Sequence, residues 1–321
     1  MLTDPMYSTD APTSSLAHPA PPDSPALQAL VEALRSRHGE AVNAILFYGS
    51  CLRSGDLFDG LVDLYLIVDS YTACYTRKTR ALANWLLPPN VFYTEICVTN
   101  RVVRAKYAVL SSADLRNGTS RRWFHSYLWG RFTQPTALAW RRDEAARLMI
   151  EASLASARRT FLERVLPRLP AAGRVRDLWQ QGLQLSYGAE LRAESAGRAA
   201  ELTAAAVDYY VASTREVAAS LRYPLSLEGN GADTRYRADI PAASRALGRA
   251  AWMLRAVQGK LLSVGRLLKA LFTFEGGLDY IAWKLERHSG QRIEIPPRVR
   301  RYPLIFVWGL FWRLYRRGVF R

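Results

Sequence analysis

Three residues near the start of the chain have the types and the spacing needed to hold a phosphorylated substrate. Gly49 and Ser50 follow the apolar run 44–48, and Asp63 lies near the start of the apolar run 61–68. A Gly-Ser turn lets backbone N–H groups approach a phosphate because glycine has no side chain, and the serine hydroxyl adds a donor. An aspartate can hold a Mg²⁺ ion that bridges phosphate oxygens. The pattern therefore predicts a phosphate site with Mg²⁺ as its cofactor.

The Gly-Ser then Asp pattern resembles that of the polymerase-β-like nucleotidyltransferase superfamily, which usually carries a second carboxylate two residues after the first. Position 65 is a tyrosine here, and alternation along a strand would place it on the same face as Asp63. Because the second carboxylate is missing, an inactive enzyme is one possible interpretation at this point. Glu95, in the following apolar run, is the better spare carboxylate, and we predict it as a second metal ligand beside Asp63. An exposed strand charge is the alternative interpretation of Glu95.

The elements that position these residues predict an α+β fold. Helical spacing at 26–40 and 76–87 alternates with short apolar runs at 44–48, 61–68, 91–98 and 107–111. This order predicts a mixed sheet with helices over residues 26–143, after a disordered leader at 1–25 that is rich in Pro, Ser and Ala. Residues 144–290 are predicted to be mainly helical, with a loop around Pro224 and Gly229 and a break at Gly276. Residues 291–321 form a basic, aromatic tail.

Composition limits the partners and the compartment. The formal net charge of +16 indicates an anionic partner. Three cysteines are an odd number without metal-type spacing, which favours reduced thiols in the cytoplasm. No lysine or arginine precedes Arg35, which argues against a signal peptide or a mitochondrial transit peptide. No run reaches the roughly 20 apolar residues that span a bilayer.

Four short segments, in chain order, carry a closer resemblance. AKYAVLS at 105–111 is similar to Lys-Tyr-Gly-Val-(Ile/Val)-Ser, and YLWGRFTQP at 127–135 is similar to Tyr-x-Ala-Gly-Arg-Leu-Gln-Lys-Pro. LSYGAELR at 185–192 resembles Leu-Ser-Tyr-x-Gly-Asp-x-Arg. KALFT at 269–273, with Gly276, Tyr280, Trp283 and Lys284, resembles a Lys-Gly-(Ile/Val)-Phe-Thr-Ala-Gly helix. These patterns are those of the mitochondrial-type phosphatidate cytidylyltransferases, the translocator-assembly-and-maintenance family. The chain departs from them at Ala108, Trp129, Gln134 and Ala189, which bears on substrate specificity.

The resemblance implies a polymerase-β-like nucleotidyltransferase domain, a winged-helix-like helical domain and a C-terminal amphipathic helix used for membrane attachment. It implies that CTP and phosphatidate react, with Mg²⁺, to give CDP-diacylglycerol and pyrophosphate. That family also lacks the second aspartate, so Tyr65 is compatible with activity. The predicted site residues, grouped by role, are Asp63, Lys106 and Arg131 in catalysis, Tyr48, Gly49 and Ser50 at the nucleotide, and Tyr187 and Arg192 at the substrate. We expect no nucleic acid as a partner.

The tail has the composition of an interfacial membrane anchor. Arg298, Arg300 and Arg301 precede the apolar run 304–312, and further arginines follow it. Tryptophan and tyrosine favour the headgroup region, and basic residues favour an anionic leaflet. We therefore expect a cytoplasmic protein that binds peripherally to the inner face of the membrane through this tail. A last helix docked into the core is the alternative.

Two other functions stay open on the sequence. The first is a nucleotidyltransferase that acts on a soluble acceptor, such as an antibiotic, a nucleotide or an RNA end. The second is a non-enzymatic basic protein that binds a membrane or nucleic acid. They differ in whether Asp63 is needed and in whether nucleotide enters a lipid product.

Overall fold

The computed structural model describes residues 19–190, 196–273, 276–289 and 293–301, together with Gly309 and Trp312. The strands are β1 Val42–Tyr48, β2 Val62–Val68, β3 Asn90–Val98, β4 Arg101–Ser111, β5 Thr136–Arg141, β6 Ala172–Arg174, β7 Leu225–Glu228 and β8 Arg235–Ala238. The helices are α1 Pro25–His38, α2 Ser50–Ser54, α3 Tyr71–Cys74, α4 Lys78–Leu86, α5 Ser112–Thr119, α6 Ser126–Phe132, α7 Glu144–Val165, α8 Val175–Gly188, α9 Ala196–Ala204, α10 Val207–Ala218, α11 Ala242–Thr273, α12 Gly277–Ser289 and α13 Pro297–Arg301.

A five-stranded mixed sheet lies at the centre of the N-terminal half, with the strand order β3-β4-β2-β1-β5. β2 and β4 are parallel, and the other neighbouring pairs are antiparallel. β1 and β2 are almost continuously apolar because both faces of the central strands are covered. The α+β class and the mixed sheet predicted from the sequence are confirmed.

The two faces of this sheet belong to two apolar cores. One face packs against α1, α3 and α4, through residues such as Phe47 and Leu64. The other face, with Leu46, Tyr65 and Ile67, shares a core with α7, α8, α10 and Trp252 of α11. The helical half therefore packs directly on the sheet, although the predicted boundaries at residues 143 and 290 stay predictions.

Two strands of the sheet, β4 and β5, differ from the sequence prediction. β4 begins at Arg101 rather than at 107, because Thr99 and Asn100, with φ of 46° and 62°, form a tight turn that pairs β3 with β4. β5 was not predicted. It is a six-residue edge strand that is only partly buried, so its residues lack the continuous apolar run of a central strand.

The helical half contains a small second sheet, which corrects the predicted loop between α10 and α11. β6, β8 and β7 form this antiparallel sheet, and the β7–β8 connection includes Gly229 with φ of 82°. Strands of four residues that alternate between exposed and buried positions give too short a signal to be found by periodicity. The winged-helix-like description of this half stays a prediction.

The chain then runs through the 32-residue helix α11. A Cβ at Gly259 would overlap the carbonyl oxygen of Ala189, so glycine allows α11 to approach the end of α8. The predicted break is confirmed at Gly276, which has φ of 74° and separates α11 from α12. None of the helices in the described residues is long and apolar enough to cross a membrane. Most of the predicted leader and of the tail beyond Arg301 lies outside the described residues.

Candidate functional site

Four side chains from four neighbouring strands form a transverse row on one face of the large sheet. Tyr48 pairs with Asp63, Asp63 pairs with Lys106, and Lys106 pairs with Tyr93. Side chains on directly paired residues lie on the same face of a sheet. The structure thus brings together Tyr48, Asp63 and Lys106, all predicted from the sequence. It adds Tyr93, which the sequence analysis did not assign.

The charged centre of the transverse row is an ion pair. Lys106 Nζ lies 3.0 Å from Asp63 Oδ1, and the two side chains are 32% and 20% exposed. Burial alone would lower the pKa of Lys106, but the charge of Asp63 outweighs it and the pKa lies above its ordinary value. Burial, and then the charge of Asp63, raises the pKa of Tyr48, which keeps its hydroxyl protonated. A cation and an anion are therefore held side by side within reach of solvent.

Gly49 brings the Gly-Ser turn against this ion pair. Its φ is 91°, and a Cβ there would lie 2.7 Å from Asp63 Oδ2. Only glycine allows both that backbone conformation and that approach. Ser50 then begins α2 and is exposed. The glycine of the turn is consequently in direct contact with the Asp63 carboxylate, and Ser50 is the next residue along the chain.

Tyr65 occupies the position where the superfamily usually carries a second carboxylate. Its ring is 1% exposed and packs 5.1 Å from the Tyr48 ring and 4.7 Å from the Phe132 ring. Burial raises its pKa well above the ordinary value, so the side chain is neutral. Position 65 therefore belongs to the apolar core behind the transverse row.

α6 and α8 supply the remaining predicted residues. The guanidinium carbon of Arg131 lies 5.8 Å from the centre of the Tyr48 ring, which places this cation beside the transverse row. Tyr187 Oη donates to Gln134 Oε1 at 3.0 Å. A Cβ at Gly130 would overlap the Ser186 hydroxyl, so the segments 127–135 and 185–190 are in close contact. Arg192 lies outside the described residues.

Glu95 lies elsewhere on the same face. It pairs with Arg104 and its Oε1 accepts from Tyr93 Oη at 2.5 Å and from Arg104 Nε at 3.1 Å. It is two strands and two residues away from Asp63, about 10 Å across and about 7 Å along the sheet. It lines a cavity of about 480 Å³ with Arg104 and Trp283. The structure does not bring Glu95 to Asp63.

α12 is the part of the site that sequence reasoning did not assign. Tyr280 lies 5.7 Å from the Tyr93 ring and interacts electrostatically with Lys106. Arg287 pairs with Asp59 at 3.1 Å, in the loop that leads into β2. A Cβ at Gly276 would lie 2.7 Å from the Tyr93 carbonyl oxygen, so α12 starts directly on the sheet. The turn at Thr99 and Asn100 could have placed Tyr93 opposite Lys106, but the sequence held no signal for the approach of α12.

Asp63 is the carboxylate at this site that could hold a metal ion. In the described ranges, no group of three or more His, Cys, Asp or Glu side chains could hold one. Mg²⁺ keeps several waters and is commonly bound by one or two carboxylates together with substrate phosphates. A single aspartate beside a glycine turn fits a metal ion that arrives with a nucleotide.

The comparisons with known proteins add little. No family model matches the chain, and no curated protein matches it. Among solved structures, it is similar to the crystal structure of a nucleotidyltransferase-like protein from Exiguobacterium sibiricum 255-15. The TM-score is 0.24 and the identity 9%, over 67% of this chain and 99% of that chain. A likeness this weak has no weight for function, which depends on the geometry of the site.

Gly49→Ala should lower the free energy of unfolding by about 1–3 kcal/mol, because it adds backbone strain and a contact with the Asp63 carboxylate. Gly55→Ala is the matched control, since Gly55 has φ of 76° and an added Cβ there would meet no atom within 4 Å. It should cost about 1 kcal/mol from strain alone. Urea denaturation of both variants measures the difference. Equal losses would show that Gly49 does not constrain Asp63.

His125 should make stability depend on pH below neutrality. It caps α6 by accepting from Tyr127 N at 3.2 Å through Nδ1, which requires a neutral ring. Burial, aided by the charge of Arg266, lowers its pKa to about 4 from 6.5. The folded state therefore binds fewer protons than the unfolded state between these values, and stability falls as the pH falls through this window.

From pH 7 to 4.5 the loss due to His125 should be about 2 kcal/mol in the free energy of unfolding. His125→Asn keeps a capping oxygen and removes the titration, so this part of the loss should vanish. Urea denaturation of both proteins at the two pH values gives the comparison. An unchanged loss in the variant would contradict the assignment.

Proposed function

We propose that the chain is a nucleotidyltransferase whose catalytic centre is the end of the sheet at Asp63. One observation carries the proposal. Gly49, at positive φ, closes onto the carboxylate of Asp63, while Lys106 lies beside that carboxylate at 3.0 Å. A glycine turn, a carboxylate and a cation are the groups that a metal-bound triphosphate needs.

Within this proposal the residues have separate roles. Gly49 and Ser50 would contact the phosphates, and Asp63 would hold Mg²⁺, which would supply neutralising charge to the phosphate oxygens. Lys106 then pairs with a phosphate oxygen in place of Asp63. Arg131, held beside Tyr48, receives a second phosphate, for which the forked guanidinium is suited. Tyr48 and Tyr93 border these cations.

The proposed reaction is transfer of a cytidylyl group from CTP to phosphatidate. A phosphatidate oxygen attacks the α-phosphorus, the bond from that phosphorus to the bridging oxygen breaks, and pyrophosphate leaves. A phosphate monoester has its second pKa near 6, so the nucleophile is largely ionised at neutral pH. It needs no general base, which is consistent with the buried residue Tyr65 where a second carboxylate would lie. Positioning and charge neutralisation are what remain for the protein.

The choice of CTP and phosphatidate is supported by the resemblance of four segments to the phosphatidate cytidylyltransferases. Three of them meet around the transverse row: Lys106 belongs to the first, Arg131 to the second, and Gly276 to the fourth. The third, with Tyr187, packs on the second through Gln134. Peripheral attachment of a cytoplasmic protein to the membrane belongs to the same proposal, because phosphatidate stays in the bilayer.

Transfer of radiolabel from CTP to vesicles that contain phosphatidate tests this function. The wild type should move label into the lipid phase when Mg²⁺ is present, and CTP should exceed the other three nucleoside triphosphates. Asp63→Asn should reduce the rate by at least about 100-fold, because it removes the metal ligand and strands Lys106. Glu95→Gln is the matched control on the same sheet face and should stay within a few-fold of wild type.

Each contrary result has a distinct meaning. Label that enters only water-soluble products would assign the site to a soluble acceptor and refute phosphatidate as the substrate. An Asp63→Asn variant with full transfer would refute the proposed centre. A strong loss in Glu95→Gln would restore Glu95 as a metal ligand.

A further inference from the structure

Helix α11 presents an apolar face to the outside of the molecule. Side chains at intervals of three and four residues, between 42% and 75% exposed, form it: Leu254, Val257, Leu261, Val264, Leu268 and Phe272. This spacing places them along one side of a helix. Single exposed leucines are normal on a protein surface, whereas a continuous stripe of this length marks a contact with another protein or with a membrane.

The opposite side of α11, which packs on the protein, carries cations. Arg255 Nε donates to the Phe124 carbonyl oxygen at 2.8 Å, and Arg266 Nε donates to that of Pro88 at 3.1 Å. Lys269 Nζ donates to Leu87 O at 2.5 Å and to Pro89 O at 2.8 Å. Burial, and then the charge of Arg266, lowers the pKa of Lys269 to about 7. In a helix that faces water, the charged side chains lie outside and the apolar ones inside. In α11 these three cations lie on the inner side and the apolar stripe lies on the outer side.

α4 extends the apolar surface. Trp85 and Leu86 are 66% and 65% exposed. They line one cavity together with Gln258 and Leu262 of α11, so the two helices adjoin. We call the outward side of α11 together with Trp85 and Leu86 the α4–α11 face. An exposed tryptophan beside leucines is typical of surfaces that enter the headgroup region of a bilayer.

The two helices that form the α4–α11 face carry positive charge only, and Asp114 is an acidic residue that lines the cavity between them. Residues 242–273 contain six arginines and lysines and no aspartate or glutamate, and residues 70–94 contain no acidic residue either. Among these cations, Arg249 and Lys260 of α11 are exposed. Two copies of this chain meeting through the face would bring like charges together, which costs energy. An anionic lipid surface offers both the apolar phase and the opposite charge.

We propose that the α4–α11 face docks on an anionic membrane surface, with the apolar stripe of α11 at the level of the headgroups. The occupant is the bilayer itself, and the docking surface is distinct from the tail at 298–321. Docking through α11 also places the proposed centre near the lipid, because α11 leads through Gly276 to Tyr280, beside Lys106. This last step rests on the proposed function, whereas vesicle binding by the face does not.

Sedimentation with phosphatidylcholine vesicles, with and without phosphatidylglycerol, tests the docking of the full chain. The wild type should bind the anionic vesicles more tightly. Leu254→Glu with Leu261→Glu should weaken that binding by at least about tenfold, because both the apolar contact and the charge match are lost. Leu148→Glu is the matched control, since Leu148 is 54% exposed on α7 outside the face, and should bind like wild type.

A fluorescent label gives a reading that does not depend on the folding of the double variant. An environment-sensitive dye is attached at Leu261→Cys, or at Leu148→Cys as control, in a chain where the exposed Cys97 is replaced by serine. Anionic vesicles should shift the emission of the dye at 261 to the blue and leave the dye at 148 unchanged. No shift at 261 on bound protein would overturn the proposal and assign binding to the tail or another surface.

Two further outcomes are separable. A wild type that is dimeric by light scattering without lipid, and a double variant that is monomeric and still binds vesicles, would assign the face to a second copy and overturn the proposal. Transfer to phosphatidate in detergent micelles should be equal in wild type and double variant, whereas transfer on vesicles should fall with binding. Absence of transfer in both proteins would refute the proposed function and leave the docking result intact.

Discussion

The close approach of Gly49 to the carboxylate of Asp63 is the constraint on which the site depends. It requires a residue without a side chain at positive φ and a strand pairing that sets Tyr48 opposite Asp63. The same register sets Asp63 opposite Lys106, so one alignment of strands creates the turn, the carboxylate and the ion pair together. A shift of β2 by one residue would turn Asp63 to the other face and bury its charge in the apolar core. Burial of the apolar strands determines the register, and the register determines which side chains lie together at the site.

Much of this could be predicted from the sequence, and the remainder has physical reasons. β1, β2 and the positions of Gly49 and Asp63 follow from local patterns: continuous apolar runs, a glycine turn and a single strand carboxylate. The position of Glu95 does not follow from a local pattern. It depends on the register between β3 and β4, which decides which residue of β3 lies level with Asp63. Tyr280 reaches Lys106 only through the packing of a helix more than half the chain away. β5, β7 and β8 are short and partly exposed, so their periodicity is too weak to distinguish them from loops.

Helix α11, with cations inside and apolar side chains outside, bears on which substrate the site receives. Three cations on the inner side of the helix donate to main-chain oxygens, two of them to the segment 87–89 that leads into β3. The outer side is left apolar, and the charged residues of α4 and α11 are all cations. A soluble substrate would explain the ion pair at Asp63 but not this face. The phosphorylated lipid of the proposed function would account for both, because its phosphate has to reach cations while its acyl chains stay in the bilayer.

The central claim is that Asp63 and the Gly49–Ser50 turn together hold a metal-bound nucleotide. A crystal structure with Mn²⁺ and a CTP analogue whose bridging oxygen cannot be cleaved tests it most directly, since anomalous scattering locates the metal. We predict that the metal contacts Asp63 and the phosphates, and that the phosphates lie against Gly49 and Ser50 with Lys106 turned toward them. A nucleotide bound elsewhere, or a metal ion without contact to Asp63, would contradict the account.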